Sequence, residues 1–90
     1  MPIENALLNY LQIKIVADAR PDDTAARNTS DFFYSILVED HKLEALEYTR
    51  DDTMYHVRYT AGGKQKTRFL DRLAVEQLLA SIQAEPRYGE

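Results

Sequence analysis

Two adjacent glycines, Gly62 and Gly63, constrain the fold of this chain more than any other feature of its sequence. They separate two stretches that read as β-strands, Met54–Thr60 and Lys64–Phe69. Glycine accepts the positive φ angles that a two-residue hairpin turn requires. The sequence therefore predicts an antiparallel hairpin whose inward side chains on the first strand are Tyr55, Val57 and Tyr59, while Met54, His56 and Arg58 point outward.

Two further strands are predicted upstream of this hairpin. Leu43–Thr49 places Leu46 and Tyr48 on one face, and the polar residues 50–53 follow it as a turn. Phe32–Val38 is dense in aromatic and β-branched residues, which favours a strand. Its side chains on one face would be Phe32, Tyr34, Ile36 and Val38.

Pro21–Ser30 is polar and rich in turn-forming residues, so it is interpreted as a loop before the strand at 32–38. An alternative interpretation joins residues 24–40 into one helix. Asp23 would then cap its N-terminus, and Ala26, Phe33 and Leu37 would face inward. The composition of the segment leaves both interpretations open.

Helices are predicted at both ends of the chain. Ile3–Ala19 carries an apolar stripe at helical spacing, formed by Ile3, Leu7, Leu8, Leu11, Ile15 and Ala19. Residues 11–17 also alternate with period two, which leaves a strand open for that half. The last helix runs from a cap at Asp71 to about Gln83, with Ala74, Val75, Leu78, Leu79 and Ile82 inward.

These elements predict an α+β fold. The sheet would be a three- to four-stranded antiparallel meander with the N-terminal and C-terminal helices packed on one face. Ninety residues suit one small domain, which we place at residues 1–84, followed by a C-terminal tail at 85–90.

Composition excludes several classes of function. The chain has no cysteine, which excludes disulfides, thiolate zinc sites and cysteine nucleophiles. His41 and His56 lie fifteen positions apart and do not form a metal-ligand cluster, so neither a metal nor another cofactor is expected. No stretch approaches the ~20 apolar residues of a membrane span, and no signal peptide is evident. The sequence predicts a cytoplasmic protein.

A run of positive charge marks the last predicted strand. Lys64, Lys66 and Arg68 alternate, so they are predicted to project to one side, away from Tyr55, Val57 and Tyr59. With His56 and Arg58 beside them across the hairpin, they form a candidate binding surface. Such a surface can meet phosphates, or its charges can keep an exposed edge strand soluble. The net charge of −4 favours the second interpretation.

Two segments resemble the double-stranded RNA-binding domain. Leu7–Gln12 is similar to the opening of that family's first helix, and Gly63–Lys66 followed by Leu73–Leu79 is similar to its glycine, lysines and second helix. The resemblance implies that Lys64 and Lys66 contact phosphates. This chain departs from the family because Gln65 separates the two lysines.

A second resemblance is to a small uncharacterised domain family of Gram-positive bacteria. Lys42–Tyr48 and Tyr55–Tyr59 carry it, together with the order of helix, three-stranded meander and final helix. It implies a cytosolic protein and says nothing about a functional site.

The sequence shows no pattern of catalytic residues. Asp22–Asp23 and Asp51–Asp52 are paired carboxylates, but pairs of this kind in polar turns are usually solvated turn formers. No serine, aspartate or second histidine stands at a spacing that would make His56 part of a triad. We therefore expect no enzymatic activity.

The function predicted from these observations is a protein–protein interaction or regulatory module that acts through its exposed sheet face, as a homodimer. Six tyrosines in ninety residues favour such a role, because tyrosine is enriched at interfaces. One alternative is nucleic-acid binding through Lys64, Lys66 and Arg68. A second is an acidic inhibitor that mimics nucleic acid, using Asp22, Asp23, Glu39, Asp40, Asp51 and Asp52.

Overall fold

The computed structural model describes residues 2–84, which form three helices and three strands in the order α1-α2-β1-β2-β3-α3. The helices are α1 (Ile3–Ala19), α2 (Thr24–His41) and α3 (Arg72–Ala84), and the strands are β1 (Leu43–Arg50), β2 (Met54–Ala61) and β3 (Lys64–Asp71). The α+β class is confirmed. Met1 and the predicted tail at 85–90 lie outside the described residues.

The predicted strand at Phe32–Val38 is wrong, because this segment belongs to helix α2. The alternative interpretation of one helix over residues 24–40 describes the segment correctly. The Asp23 side chain caps this helix by accepting a hydrogen bond from the Ala26 backbone N–H at 3.0 Å. Helical spacing buries Ala26, Ser30 and Leu37, whereas a strand would have turned Phe32 inward. Burial of this stripe outweighs the strand preference of the aromatic and β-branched residues.

Helix α1 is continuous, and residues 11–17 are helical rather than extended. It contacts both α2 and α3, so the buried part of its surface is wider than one stripe. Ala6, Leu7, Leu11 and Val16 have no solvent exposure. Ala19, placed in the predicted stripe, is exposed because it lies at the end of the helix, beyond these contacts.

The sheet is an antiparallel meander in the order β1-β2-β3. Strand β3 pairs with β2 over eight consecutive residues, from Ala61 opposite Lys64 to Met54 opposite Asp71. The pairing of β1 with β2 is interrupted near Glu44 by a register shift between Leu43 and Ala45. Gly62 and Gly63 both have positive φ, as the tight turn between β2 and β3 requires.

The main core lies on one face of the sheet. Tyr55, Val57 and Tyr59 of β2 are almost fully buried, as their alternation predicts. They pack in one cluster with side chains from each described helix: Ala6, Leu7, Tyr10 and Leu11 from α1, Leu37 from α2 and Val75 from α3. The three described helices therefore cover the same face, which we call the covered face. The opposite face, here the open face, carries the intervening side chains.

Helix α3 is fixed at both of its ends. The Asp71 side chain accepts a hydrogen bond from the Ala74 backbone N–H at 3.0 Å, so the predicted N-cap is confirmed. The Ala74 carbonyl accepts a bond from the Gln12 side chain of α1 at 2.9 Å. Near the other end, Ile82 packs in a second cluster with Val16 and Ala26. These contacts hold α3 against the first two helices.

Candidate functional site

The five residues of the candidate binding surface fall on two different sides of the sheet. Side chains that stand directly opposite each other in an antiparallel pair share a face. Lys66 is opposite Tyr59 and Arg68 is opposite Val57, so both lie on the covered face with the core residues of β2. Lys64, opposite Ala61, lies on that face as well. His56 and Arg58 lie on the open face.

The prediction that Lys64, Lys66 and Arg68 point away from Tyr55, Val57 and Tyr59 is therefore wrong. The prediction assumed that the charged side chains of β3 and the apolar side chains of β2 lie on different faces of the sheet. Which face a side chain occupies depends on the register of the hairpin, and the turn sets that register. A two-residue turn at Gly62–Gly63 places Ala61 opposite Lys64 and fixes every later pair. This signal was present in the sequence. Lys64 and Lys66 are exposed and Arg68 is only half-buried, because β3 is the last strand of the sheet.

On the open face, rows of three side chains cross the sheet. The rows are Ala45–Thr60–Gln65, Glu47–Arg58–Thr67 and Thr49–His56–Phe69. The Arg58 Nη2 lies 2.8 Å from the Glu47 Oε1, so one charge pair neutralises the centre of this face. Phe69 is 58% exposed, which is unusual for an aromatic side chain on a polar strand.

The imidazole of His56 is held between two neighbours on the open face. Its Nε2 lies 2.6 Å from the Asp51 Oδ2, and its ring meets Phe69 edge to face at 4.9 Å between centroids. Asp51 also accepts hydrogen bonds from the backbone N–H groups of Thr53 at 2.8 Å and Met54 at 2.7 Å. The Thr53 N–H, the His56 side chain and the Met54 N–H hold the pKa of Asp51 well below its usual range. Asp51 orients His56 and closes the turn between β1 and β2.

The charges along β3 differ in their surroundings. Arg68 Nε lies 3.5 Å from the Glu4 Oε1 of α1, a long and exposed pair. Within residues 2–84, Lys64 and Lys66 take part in no ion pair, and both are exposed. Two ammonium groups without carboxylate partners therefore stand along this edge of the sheet.

A cleft between β1, β2, α1 and α3 was missed by the sequence interpretation. It is lined by Ile15, Tyr48, Thr49, Arg50, Tyr55, Glu76 and Leu79. The Glu76 carboxylate accepts hydrogen bonds from Tyr55 Oη at 2.7 Å, Arg50 Nη1 at 2.7 Å and Arg72 Nε at 3.0 Å. The Tyr55 hydroxyl, followed by the two arginines, lowers the pKa of Glu76. With three donors bound to it, this carboxylate joins α3 to strands β1 and β2.

No sequence pattern predicts this hydrogen-bond network around Glu76, because its strand residues are far from Glu76 in the chain. Arg50 and Glu76 lie 26 positions apart, and they meet only because α3 folds back across the end of β1.

The acidic residues of the predicted charge mimic are distributed over separate connections. Asp22 and Asp23 precede α2, while Glu39 and Asp40 lie in its last turn. The two pairs are thus about 25 Å apart along the helix, at ~1.5 Å per residue. Asp23 acts as the helix cap, and the Ala26 N–H lowers its pKa. These two pairs of carboxylates therefore lie at opposite ends of α2.

Among residues 2–84, no three histidine or acidic side chains come together as metal ligands. None of the described helices is long and apolar enough to cross a membrane.

Comparison of the chain with protein-family models, curated proteins and solved structures finds no match. The resemblances to the double-stranded RNA-binding domain and to the Gram-positive family therefore stay predictions. The observed order differs from the one on which they were based, because α2 stands between α1 and β1.

Proposed function

We propose that this protein is a non-catalytic interaction module that binds a partner protein through the open face of its sheet. One observation carries the proposal: an exposed aromatic ring, Phe69, stands on a charge-neutralised face that no described helix covers. Aromatic side chains that are rigidly held on a strand supply contact area at low entropic cost, and they often anchor interfaces. The edge contact with His56 holds the Phe69 ring in place.

The polar residues around Phe69 suit a contact that forms between two soluble proteins. Thr49, Thr67 and Gln65 supply uncharged hydrogen-bonding groups, which are less costly to desolvate than charges. The other large apolar side chains that are exposed on the described surface all lie on helices rather than on the open sheet face: Phe32 and Val38 on α2, and Leu73 and Leu78 on α3.

The size of the open face favours a different protein over a second copy. Three strands of eight residues cover about 14 by 27 Å, or roughly 400 Å² in plan. A stable interface buries ~800 Å² on each partner. A homodimer that used this face alone would therefore be weak. A partner that also contacts an adjoining edge of the sheet would bury more area.

Nucleic-acid binding finds less support. Arg58 and His56 are separated from Lys64, Lys66 and Arg68 by the thickness of the sheet, and Arg58 and Arg68 already face carboxylates. Affinity for a phosphate backbone grows with the number of cations that reach it together.

Site-specific photocrosslinking in the cells that make the protein tests the proposal. A photoreactive residue is placed at Arg58 or Thr67 on the open face, and at Asp31 on α2 as the control. We expect adducts of one defined mass from positions 58 and 67 and none from position 31, with the adducts lost in a Phe69→Ser background. Adducts from position 31 alone, or none at positions 58 and 67, would contradict the proposal.

Light scattering over a wide concentration range tests the homodimer predicted from the sequence. A monomer throughout is expected if the partner is a different protein. A stable dimer that Phe69→Ser dissociates would instead make a second copy the partner.

A further inference from the structure

We propose that the outer edge of β3 binds an extended acidic segment of the partner protein, which adds to the sheet as a fourth strand. This inference rests on the proposed function and specifies the chemistry of the partner. The segment would carry carboxylates at alternate positions on the covered side. Apolar or β-branched side chains would alternate with them on the open side, beside Phe69.

The backbone of β3 is a suitable template for strand addition. It is the last strand of the sheet, and its eight residues pair with β2 without a bulge. Alternate N–H and C=O groups of an edge strand point away from its neighbour. Among residues 2–84, no backbone–backbone hydrogen bond outside the sheet ladder involves residues 64–71. The Thr67 carbonyl accepts one long side-chain hydrogen bond, from Arg68 Nη1 at 3.5 Å, which an added strand can displace. The outward groups of β3 are therefore available to a new strand.

The charges of β3 select the sequence of that strand. Lys64, Lys66 and Arg68 repeat every two residues, a spacing of about 6.8 Å along the strand. An added strand has the same repeat, so carboxylates at its alternate positions stay opposite all three cations. Lys64 and Lys66 have no carboxylate partner within residues 2–84, and Arg68 has only the long contact with Glu4. An acidic segment would complete these pairs.

Antiparallel pairing of β3 with a second copy of itself is disfavoured by the same charges. Two-fold antiparallel pairing keeps the helices of both copies on one side, so the cations of one β3 face those of the other. Whichever of residues 65–68 lies on the two-fold axis, at least one pair among Lys64, Lys66 and Arg68 is directly opposed. Like charges in direct opposition destabilise a strand pair.

Pairing of β3 with β1 of a second copy is disfavoured by shape and chemistry. On the covered side β1 presents Leu46, Tyr48 and Arg50 rather than carboxylates. Its register also shifts near Glu44, whose carboxylate accepts a hydrogen bond from the Gly63 N–H at 3.1 Å. The edge of β1 therefore does not match β3.

A protein strand fits this edge better than a nucleic-acid backbone. The edge offers hydrogen-bond donors and acceptors in alternation, and another strand satisfies both kinds. Phosphate groups only accept hydrogen bonds, so the outward carbonyl groups of β3 would remain unpaired.

Fluorescence anisotropy with a labelled peptide tests the inference. The probe is the heptapeptide Glu-Val-Glu-Thr-Glu-Val-Glu with blocked ends. One control peptide has lysine in place of glutamate, and the other has every backbone amide methylated. We expect binding of the probe alone, weakened by salt, with new hydrogen-exchange protection at the outward amides of residues 64–71. Equal binding of the methylated peptide would mean that charge alone is sensed and would overturn strand addition.

Matched protein variants locate the contact. The double variant Lys64→Gln/Lys66→Gln is expected to bind the probe about three- to tenfold more weakly, as expected for the loss of two exposed charge pairs. Lys14→Gln/Arg27→Gln removes the same charge from α1 and α2, and should bind within about twofold of the natural protein. Equal weakening in both variants would overturn the assignment to β3.

Two further outcomes separate the alternatives. If a short RNA or DNA binds more tightly than the peptide at the same salt and depends on Lys64 and Lys66, the edge is a nucleic-acid site and the inference is wrong. If the peptide fails to bind even at low salt while the crosslinks from position 58 persist, the inference falls and the proposed function stands. If the peptide does not bind and the crosslinks from position 58 are also absent, both the inference and the proposed function are rejected.

Discussion

The two edges of the sheet differ in shape and charge. Strand β1 carries a bulge near Glu44, and its covered side continues the core with Leu43, Leu46 and Tyr48. Strand β3 is regular over eight residues, and its covered side carries Lys64, Lys66 and Arg68. Three of the four rows of side chains on the covered face thus change from apolar at β1 to cationic at β3. The fourth row, Arg50–Tyr55–Leu70, has its cation on β1 and its apolar side chain on β3. The chain protects β1 by packing and β3 by charge.

This contrast explains how a regular strand can remain uncovered at the edge of the sheet. Lysine on an edge strand discourages pairing between identical chains. The same lysines leave the edge available to a strand of opposite charge. Protection against self-pairing and selection of an acidic partner therefore follow from one arrangement.

The largest expected difference in stability is between variants at the two ends of one covered-face row, Leu43–Ala61–Lys64. Leu43 of β1 is buried and lies in the row of Ala61 and Lys64. Leu43→Ala should lower the free energy of unfolding by about 2–5 kcal/mol, because it removes buried methyl groups and leaves a cavity. Lys64→Ala, at the exposed end, should change it by no more than about 0.5 kcal/mol. Urea unfolding measures both, and equal losses would contradict the difference between the edges.

A second variant tests whether the hydrogen bonds of Glu76 attach α3 to strands β1 and β2. Glu76→Gln weakens the bonds from Tyr55, Arg50 and Arg72, and should lower the free energy of unfolding by about 1–3 kcal/mol. Gln77→Ala, on the exposed side of the same helix, should cost at most about 0.5 kcal/mol. Thermal or urea unfolding that shows no difference between the two variants would remove Glu76 from this role.

A third variant makes β3 resemble β1. Lys66→Val/Arg68→Val replaces two charges with apolar side chains on an uncovered edge, and about a tenfold rise in self-association is expected as like-charge repulsion is lost. Lys14→Val/Arg27→Val is the matched control on α1 and α2. Sedimentation velocity at low and high concentration distinguishes them. A double variant of β3 that stays monomeric would show that its charges do not prevent self-pairing.

The hydrogen bonds of Asp51 in the turn between β1 and β2 should make the stability of the protein depend on pH. The pKa of Asp51 in the folded state lies below its ordinary value of about 3.9. Its contribution to stability is thus fully present above that value and is lost as pH falls toward the folded pKa. The stability advantage of the natural protein over Asp51→Asn should shrink as pH falls below ~4. A constant difference in acid unfolding curves would contradict this.

The sheet and its turn were predictable from the sequence because they depend on local patterns. The alternation of Tyr55, Val57 and Tyr59 and the two glycines define β2 and the hairpin. The α2 segment was harder to predict, because residues 32–38 have a strand preference that competes with an apolar stripe at helical spacing. That stripe stabilises a helix only when α1 packs against it, and the sequence does not show this packing.

The binding surface shows a different limit. Its five candidate residues were grouped together from the sequence, but the register, which the Gly62–Gly63 turn already specified, places them on two faces of the sheet. The exposure of Phe69 and the Glu76 network depend on which face the helices cover, and this is a tertiary property.

Amide hydrogen exchange along β2 and β3 tests most directly whether the β3 edge is open. If it is, every amide between Tyr55 and Thr60 should be protected, because β2 is paired on both sides. Along β3, protection should alternate with period two between Lys64 and Asp71, because only every second amide faces β2. Continuous protection along β3 in the isolated monomer would show that the edge is already covered, and would contradict the account.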